Sequence, residues 1–473
     1  MRRTKIVATL GPASSDEEVL VELIRAGVDV VRLNYSHGSH ESQGETLTRV
    51  RRAAERAGRE IGVLQDLAGP KIRTGDVDGG GSVPLRVGDE VLLVREPGPV
   101  RPGRLTTTLP ALVDELRPDH AVLLSDGRME LRVVGRAESG VQLRVVRGGE
   151  LTGRAGVNLP MTRVPVSSLT PKDLADMEHG VRAGADMTAL SFVRHPNDLL
   201  ETRDQARDRG LDVFLVAKIE KPEAVQQLDA ILEVADGVMV ARGDLGVEMP
   251  AEDVPLLQKR IIRAANERRI PVITATQMLE SMISSPVATR AEASDVANAI
   301  FDGTDAVMLS GETAVGRYPL EAVKTMARIA EKADQPEPVK HRFRAPQREL
   351  QPPEAVARAA SRAADDVGAR AIVVYTESGT TARLLASRRP GVPVLALSPD
   401  PRTIRRLRLS WGVYPRVMPR VERLAEMLDV GERLLIEAGQ VRPGDRVVVV
   451  SGTKAANRGG TNMLKILTVG EMD

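Results

Sequence analysis

The sequence predicts an α/β protein built on a (β/α)₈ barrel, and three observations carry that prediction. Short apolar runs rich in β-branched residues recur eight times, with helix-period segments between them. Polar clusters follow several of these runs, at the strand ends where parallel α/β proteins do chemistry. The rhythm breaks once, from about Lys71 to Val166, in a stretch of Gly, Val, Arg and Pro with strand-like pieces that reads as a β domain inserted over the active face.

The elements follow in order. KIVATL from Lys5 opens the chain as a strand, and a helix is expected near Ser15 to Ala26. DVVRLNYSHG, a helix from about His40 to Ala57, and IGVLQDLAG complete three strands. RAGVD and RAGAD each end a helix in Gly, which suits a left-handed cap before the next strand. Thr170 and Pro171 start the helix that resumes the pattern after the insertion. DMTALSF, VFLVAKI, GVMVA, PVITATQ and DAVMLSGE supply the remaining five strands. Between VFLVAKI and GVMVA one helix is expected over EAVQQLDAILEVA, and Arg242 and Gly243 are expected to form a turn. A polar, Pro-containing linker runs from Glu331 to Pro353. Beyond it AIVVYT, VPVLALSP, GVYPRV, DRVVVVSGT and MLKILTV, alternating with helices, suit an open five-stranded α/β domain. The expected domains are a barrel of residues 1–70 and 167–335, a small β-barrel lid of residues 71–166, and a C-terminal α/β domain of residues 350–473.

Composition narrows the chemistry. With 473 residues and 42% hydrophobic content the chain has material for several cores, and its net charge of +1 suggests neither nucleic acid nor an anionic membrane as partner. No apolar run spans a bilayer and no leader precedes the first strand, so a cytoplasmic protein is expected. Cysteine is absent, which removes thiolate chemistry and leaves oxygen or six histidines to hold any metal. Lysine is scarce among the 66 basic residues, so a Lys in a polar turn points to a need for a compact ammonium.

Five strand ends carry the polar clusters. They are Arg32, Asn34, Ser36 and His37; Asp66, Lys71 and Arg73; Lys218 and Glu220; Arg242 and Asp244; and Thr276 with Gln277. In a barrel these ends surround one mouth, where a Glu and an Asp can hold a hard divalent ion and leave an ammonium free to meet an anionic substrate.

RLNYSHG, QDLAGPKIRTG, AKIE, MVARGDLGVE, ATQMLESM and LSGETAVGRYP resemble, in order and spacing, the signatures of the pyruvate kinases. The resemblance implies a barrel, a lid and a C-terminal domain, usually in a homotetramer, transferring phosphate from phosphoenolpyruvate to ADP to give pyruvate and ATP. It implies Glu220 and Asp244 as ligands of Mg²⁺ or Mn²⁺, Lys218 and Arg32 on the transferring phosphoryl group, and Thr276 on the proton path to the enolate. It also implies backbone N–H groups at Arg242 and Gly243 for the substrate carboxylate, and Arg73, Asn34, His37 and Lys172 on the nucleotide side. TESGTTARLLA resembles the family's effector-phosphate loop through Thr376, Ser378, Gly379, Thr380 and Thr381. The late loop, Thr453 to Asn462, lacks the Trp of some fructose-bisphosphate-regulated relatives, and this leaves effector identity open.

One departure stands out. Potassium-dependent members hold the monovalent cation with an Asn, a Ser, an Asp and a Thr carbonyl, near a Glu. Here Asn34, Ser36 and Asp66 are kept, but Leu67 replaces the Thr and Lys71 the Glu, which predicts an enzyme that needs no K⁺.

Plainer readings stand beside these. Glu220 and Asp244 could be surface or capping carboxylates, His37 a turn histidine, Thr276 a helix cap, Lys172 a solvated lysine, Arg242 an orienting residue, and Thr376–Thr381 a capped helix start. At the level of function the competitors are a metal-enolate lyase or aldolase and a catalytically silent sensor.

Overall fold

The computed structural model describes residues 2–160, 162, 164, 166–335, 349–421, 423–452 and 460–471. Eight parallel strands close into a barrel in which each pairs with its sequence neighbours and the first pairs with the last. They are Lys5–Thr9, Val30–Asn34, Gly62–Asp66, Met187–Leu190, Leu215–Ile219, Gly237–Ala241, Val272–Ala275 and Ala306–Leu309. Their near-continuous burial explains why they read as unbroken apolar runs: one face packs the barrel interior and the other the surrounding helices. The interior is filled by Val7, Val30, Leu64, Met187, Val216, Met239, Ile273 and Met308, among others. Register places the site-bearing ends side by side, with Asn34 opposite Asp66 and Lys218 opposite Met239.

The two glycine-closed helices behave as their sequences predict. Gly27 (φ 126°) and Gly184 (φ 103°) follow Glu17–Ala26 and Pro171–Ala183, in backbone that only Gly adopts readily. The helix expected over EAVQQLDAILEVA is instead two, Pro222–Gln226 and Leu228–Val234, broken at Gln227. Val225, Leu228, Ile231 and Leu232, on the two sides of the break, share one core.

The insertion has a six-stranded sheet and a two-stranded sheet on a common core, rather than a ring closed by strand pairing among the described residues. The C-terminal sheet has the order Val413–Val417, Val394–Ser398, Ala371–Tyr375, Arg446–Gly452, Thr461–Thr468. Its last strand runs antiparallel to its neighbour, correcting the expected alternation with helices. Residues 453–460 are too few for the crossover a parallel strand needs. Most of the expected linker, residues 336–348, and residues 453–459 of the late loop lie outside the described residues.

The C-terminal domain closes the barrel from below. Leu409, fully buried, belongs to the same apolar cluster as the barrel interior. Around it Arg405 pairs with Asp186 at 2.7 Å, Arg389 with Asp305 at 3.0 Å, and Lys5 Nζ donates to the Val413 carbonyl at 2.6 Å. A Cβ at Gly62 would lie 2.8 Å from the Arg405 carbonyl oxygen, so this approach requires glycine.

Candidate active site

The third, fifth and sixth strands deliver Asp66, Lys218 and the Arg242–Glu248 helix to one mouth, and the second adds Arg32. Arg32 Nε donates to Asp66 Oδ2 at 2.6 Å, and Lys218 Nζ lies 3.2 Å from Asp66 Oδ1. Lys218 also pairs with Glu220 Oε1 at 2.8 Å and donates to Ser191 Oγ at 2.8 Å. The ammonium expected to be free is therefore held by two carboxylates, because a buried cation without partners would be far too costly. Burial pulls Lys218 down, but Asp66 and Glu220 more than offset it and keep the ammonium charged. For Asp66, burial is outweighed by Lys218 and Arg32, which keep its carboxyl below the ordinary range.

Glu220 behaves differently. Burial and then the charge of Asp244 push its carboxyl up, against the opposing pull of Lys218. Its other oxygen accepts the Phe192 N–H at 2.9 Å. Asp244 is exposed and has no hydrogen bond or salt bridge among the described residues. Glu220, buried and paired with Lys218, and Asp244, exposed and unpartnered among the described residues, offer hard oxygens that fit a divalent cation. Among the described residues no group of three or more His, Cys, Asp or Glu could hold a metal, so a cation on this pair would need further oxygen ligands of another kind.

Thr276 and Gln277 follow the seventh strand with φ of 69° and 54°, a left-handed backbone unusual for a β-branched residue. Arg242 enforces it. Its guanidinium reaches the carbonyls of Ala275, Thr276 and Gln277 and is braced by Asp295 at 2.7 Å. Arg242 begins a helix, not the expected turn. The Thr276 hydroxyl accepts the Gly243 N–H at 2.6 Å, capping that helix from another strand. A substrate carboxylate would therefore have to displace the hydroxyl to use the Gly243 N–H.

Lys71 Nζ donates to Ser36 Oγ at 3.1 Å, and Ser36 N–H to Asn34 Oδ1 at 3.1 Å. Loss of hydration and then the Lys218 charge hold Lys71 below its ordinary value, with Asp244, Asp66 and Glu220 acting in the opposite sense. The remaining nucleotide-side candidates sit further out. Arg73 donates to the Arg154 carbonyl of the insertion at 3.0 Å, Lys172 holds Asp176 at 2.5 Å and the Tyr35 carbonyl at 3.0 Å, and His37 is exposed. Ser191 was missed, although it directly follows the fourth strand, where the same strand-end argument applied.

In the C-terminal domain Thr376, Ser378, Thr380 and Thr381 line a cleft with Arg420. Gly379 (φ 78°) precedes the helix Thr380–Ala386, which has no side-chain cap. Instead, Thr376 Oγ1 accepts the Gly379 N–H at 3.0 Å, and the Ser378 and Thr380 hydroxyls meet at 3.0 Å.

Fold and site together define a barrel enzyme for phosphoryl or enolate chemistry on an anionic substrate. Residues 1–323 match the family description "Pyruvate kinase, barrel domain" and residues 354–467 "Pyruvate kinase, alpha/beta domain". The pyruvate kinase of Geobacillus stearothermophilus is 44% identical across 100% of this chain and 81% of its own length. That of Methylorubrum extorquens is 44% identical over 99% of this chain and 98% of its own. A solved structure of a pyruvate kinase from Cryptosporidium parvum has a TM-score of 0.93 at 34% identity, covering 99% of this chain and 96% of that one. The chain belongs to the pyruvate kinase family. Neither the lyase nor the sensor reading draws support from these relatives.

Proposed function

We propose that the cluster around Lys218 performs the family reaction, with Glu220 and Asp244 as the protein ligands of Mg²⁺ or Mn²⁺ and Lys71 in place of K⁺. The enzyme is a phosphotransferase that passes the phosphoryl group of phosphoenolpyruvate to ADP, giving pyruvate and ATP in glycolysis. The observation that carries the assignment of roles is Lys218 held between Asp66 and Glu220 beside Arg32. A divalent cation, when bound, neutralises the carboxylate pair and supplies Lewis acidity toward the substrate's oxygens. Lys218 and Arg32, both held on Asp66, would offer their charges to the oxygens of the phosphoryl group. Thr276 holds a hydroxyl beside Gly243 for proton delivery toward the enolate carbon. Arg73, Asn34, His37 and Lys172 form the nucleotide side, and residues 71–166 serve as its lid. A homotetramer in the cytoplasm is the assembly and location we assign, on the family's habit and the phosphorylated metabolites it handles. A coupled assay for pyruvate and ATP should require both phosphoenolpyruvate and ADP; no product from that pair would end this reading.

Potassium independence follows from Lys71. Its ammonium reaches Ser36, one of the positions that hold the monovalent cation in potassium-dependent members, and a second cation there would be repelled. Turnover is expected to be equal in sodium, tetramethylammonium and potassium at matched ionic strength. Lys71→Glu should lose about tenfold or more, or acquire a K⁺ requirement. Strong K⁺ activation of the parent would sink the proposal.

Thr376–Thr381 is proposed to receive a phosphorylated effector, since its hydroxyls bond to one another and to the loop rather than capping the helix. Sugar phosphates and AMP should shift half-saturation by phosphoenolpyruvate, and Thr380→Ala should abolish the shift. Indifference to all of them would leave the loop a structural turn.

A further inference from the structure

The helix Arg242–Glu248 offers Gly243 and Asp244 to the site at its start, and its far end is held by the lid. There the buried Glu248 accepts from Asn158 Nδ2, on the last lid strand, at 2.9 Å and from Lys221 Nζ at 2.5 Å, both on the same oxygen. Its second oxygen is buried and has no hydrogen-bond partner among the described residues. A Cβ on Gly127, at a lid turn, would come within 3.5 Å of Val247 Cγ1, so the lid meets this helix twice. Lys221 directly follows Glu220, and its ammonium lies 5.5 Å from the centre of the Phe192 ring. Phe192, at a φ of 56°, donates its backbone N–H to the Glu220 carboxylate. One buried carboxylate therefore joins the lid to both members of the metal-binding pair. It reaches Asp244 along a seven-residue helix and Glu220 through Lys221 and Phe192.

We propose that Glu248 is a positioning residue that couples seating of the lid to the geometry of Glu220 and Asp244; this rests on reading those two as the divalent-cation ligands. Among the described residues Glu248 has no cationic partner but Lys221, and Asn158 is the lid's hydrogen bond to it. Lifting the lid withdraws that bond, loosens Lys221 against Phe192, and relaxes both routes to the carboxylates. Seating the lid sets them again. The site is thereby assembled with the lid closed, when water is excluded.

Asn158→Ala, Glu248→Gln and the double variant separate the links. Each is measured for kcat and KM, for deuterium exchange in residues 242–248 and around Phe192, and for Mn²⁺ binding by electron spin resonance without substrate. Asn158→Ala should lower kcat about tenfold, leave KM for phosphoenolpyruvate within about twofold, and raise exchange in 242–248. Glu248→Gln should lower kcat about 100-fold and weaken Mn²⁺ about tenfold. The double variant should be no worse than Glu248→Gln, because Asn158 acts through it. A double loss equal to the product of the singles, or unchanged exchange and kcat in Glu248→Gln, would overturn the proposal. If Glu248→Gln fails to fold, Asn158→Ala decides alone: a kcat loss without altered exchange in 242–248 counts against the coupling. Asp244→Asn serves as the control. If it keeps the parent's Mn²⁺ affinity, the ligand reading fails; if it loses Mn²⁺ while Glu248→Gln binds and turns over as the parent does, only the coupling fails.

Discussion

Lys218→Met should fold and lose phosphoryl transfer by about 10³-fold or more, because a preorganised cation at the transferring group is among the largest single contributions to such a reaction. Methionine matches the length of the stem but cannot pair with Asp66 or Glu220, which the ammonium reaches at 3.2 and 2.8 Å. Asp66 keeps Arg32 as a partner, whereas Glu220 loses its ion pair and is left in a buried site beside Asp244. The variant should therefore melt earlier than the parent and recover part of the loss when divalent cation is added. Proton exchange on bound pyruvate should survive, since Thr276 and its Gly243 contact are untouched. The assays are single-turnover phosphoryl transfer and calorimetry with and without Mg²⁺. Near-normal turnover would remove Lys218 from the mechanism.

Asp244→Asn and Glu220→Gln should each raise the divalent-cation concentration for half-activation by about 100-fold, but with different structural costs. Asp244 is exposed and unpartnered among the described residues, so Asn should alter stability by no more than about 0.5 kcal/mol. Its effect on activation is then a clean reading of the metal. Glu220 is buried and holds both the Lys218 ammonium and the Phe192 N–H, so Gln keeps the latter and weakens the former. It should lose stability as well as activation. Metal titrations indistinguishable from the parent in both variants would refute the pair as ligands.

The barrel was readable because its physics is local and periodic. Eight apolar strands, alternating with helices except where the insertion follows the third, leave few other closed arrangements, and two glycines after helices marked where strands begin. The mouth was readable in part, because polar residues just after such strands have nowhere else to gather. Pairing inside it was not: Lys218 looked free in sequence, and only three-dimensional register shows Asp66 and Glu220 taking its charge. Backbone strain at Thr276 was equally hidden, since it is imposed by Arg242, more than thirty positions away. The antiparallel last strand could have been inferred from the short connection before it, but apolar content alone does not carry direction.

The Leu409 plug has a consequence for how the molecule is made. All eight barrel strands precede it in the chain, the last ending at Leu309, so a ribosome delivers every stave before the floor they stand on. Until residues 389–413 arrive, the nascent barrel has an uncovered apolar base, ringed by Asp186, Asp305 and Lys5 without the C-terminal partners Arg405, Arg389 and the Val413 carbonyl. Vectorial synthesis thus leaves an interval in which that base has no cover, and the interval ends only when the C-terminal domain is made and packs against it.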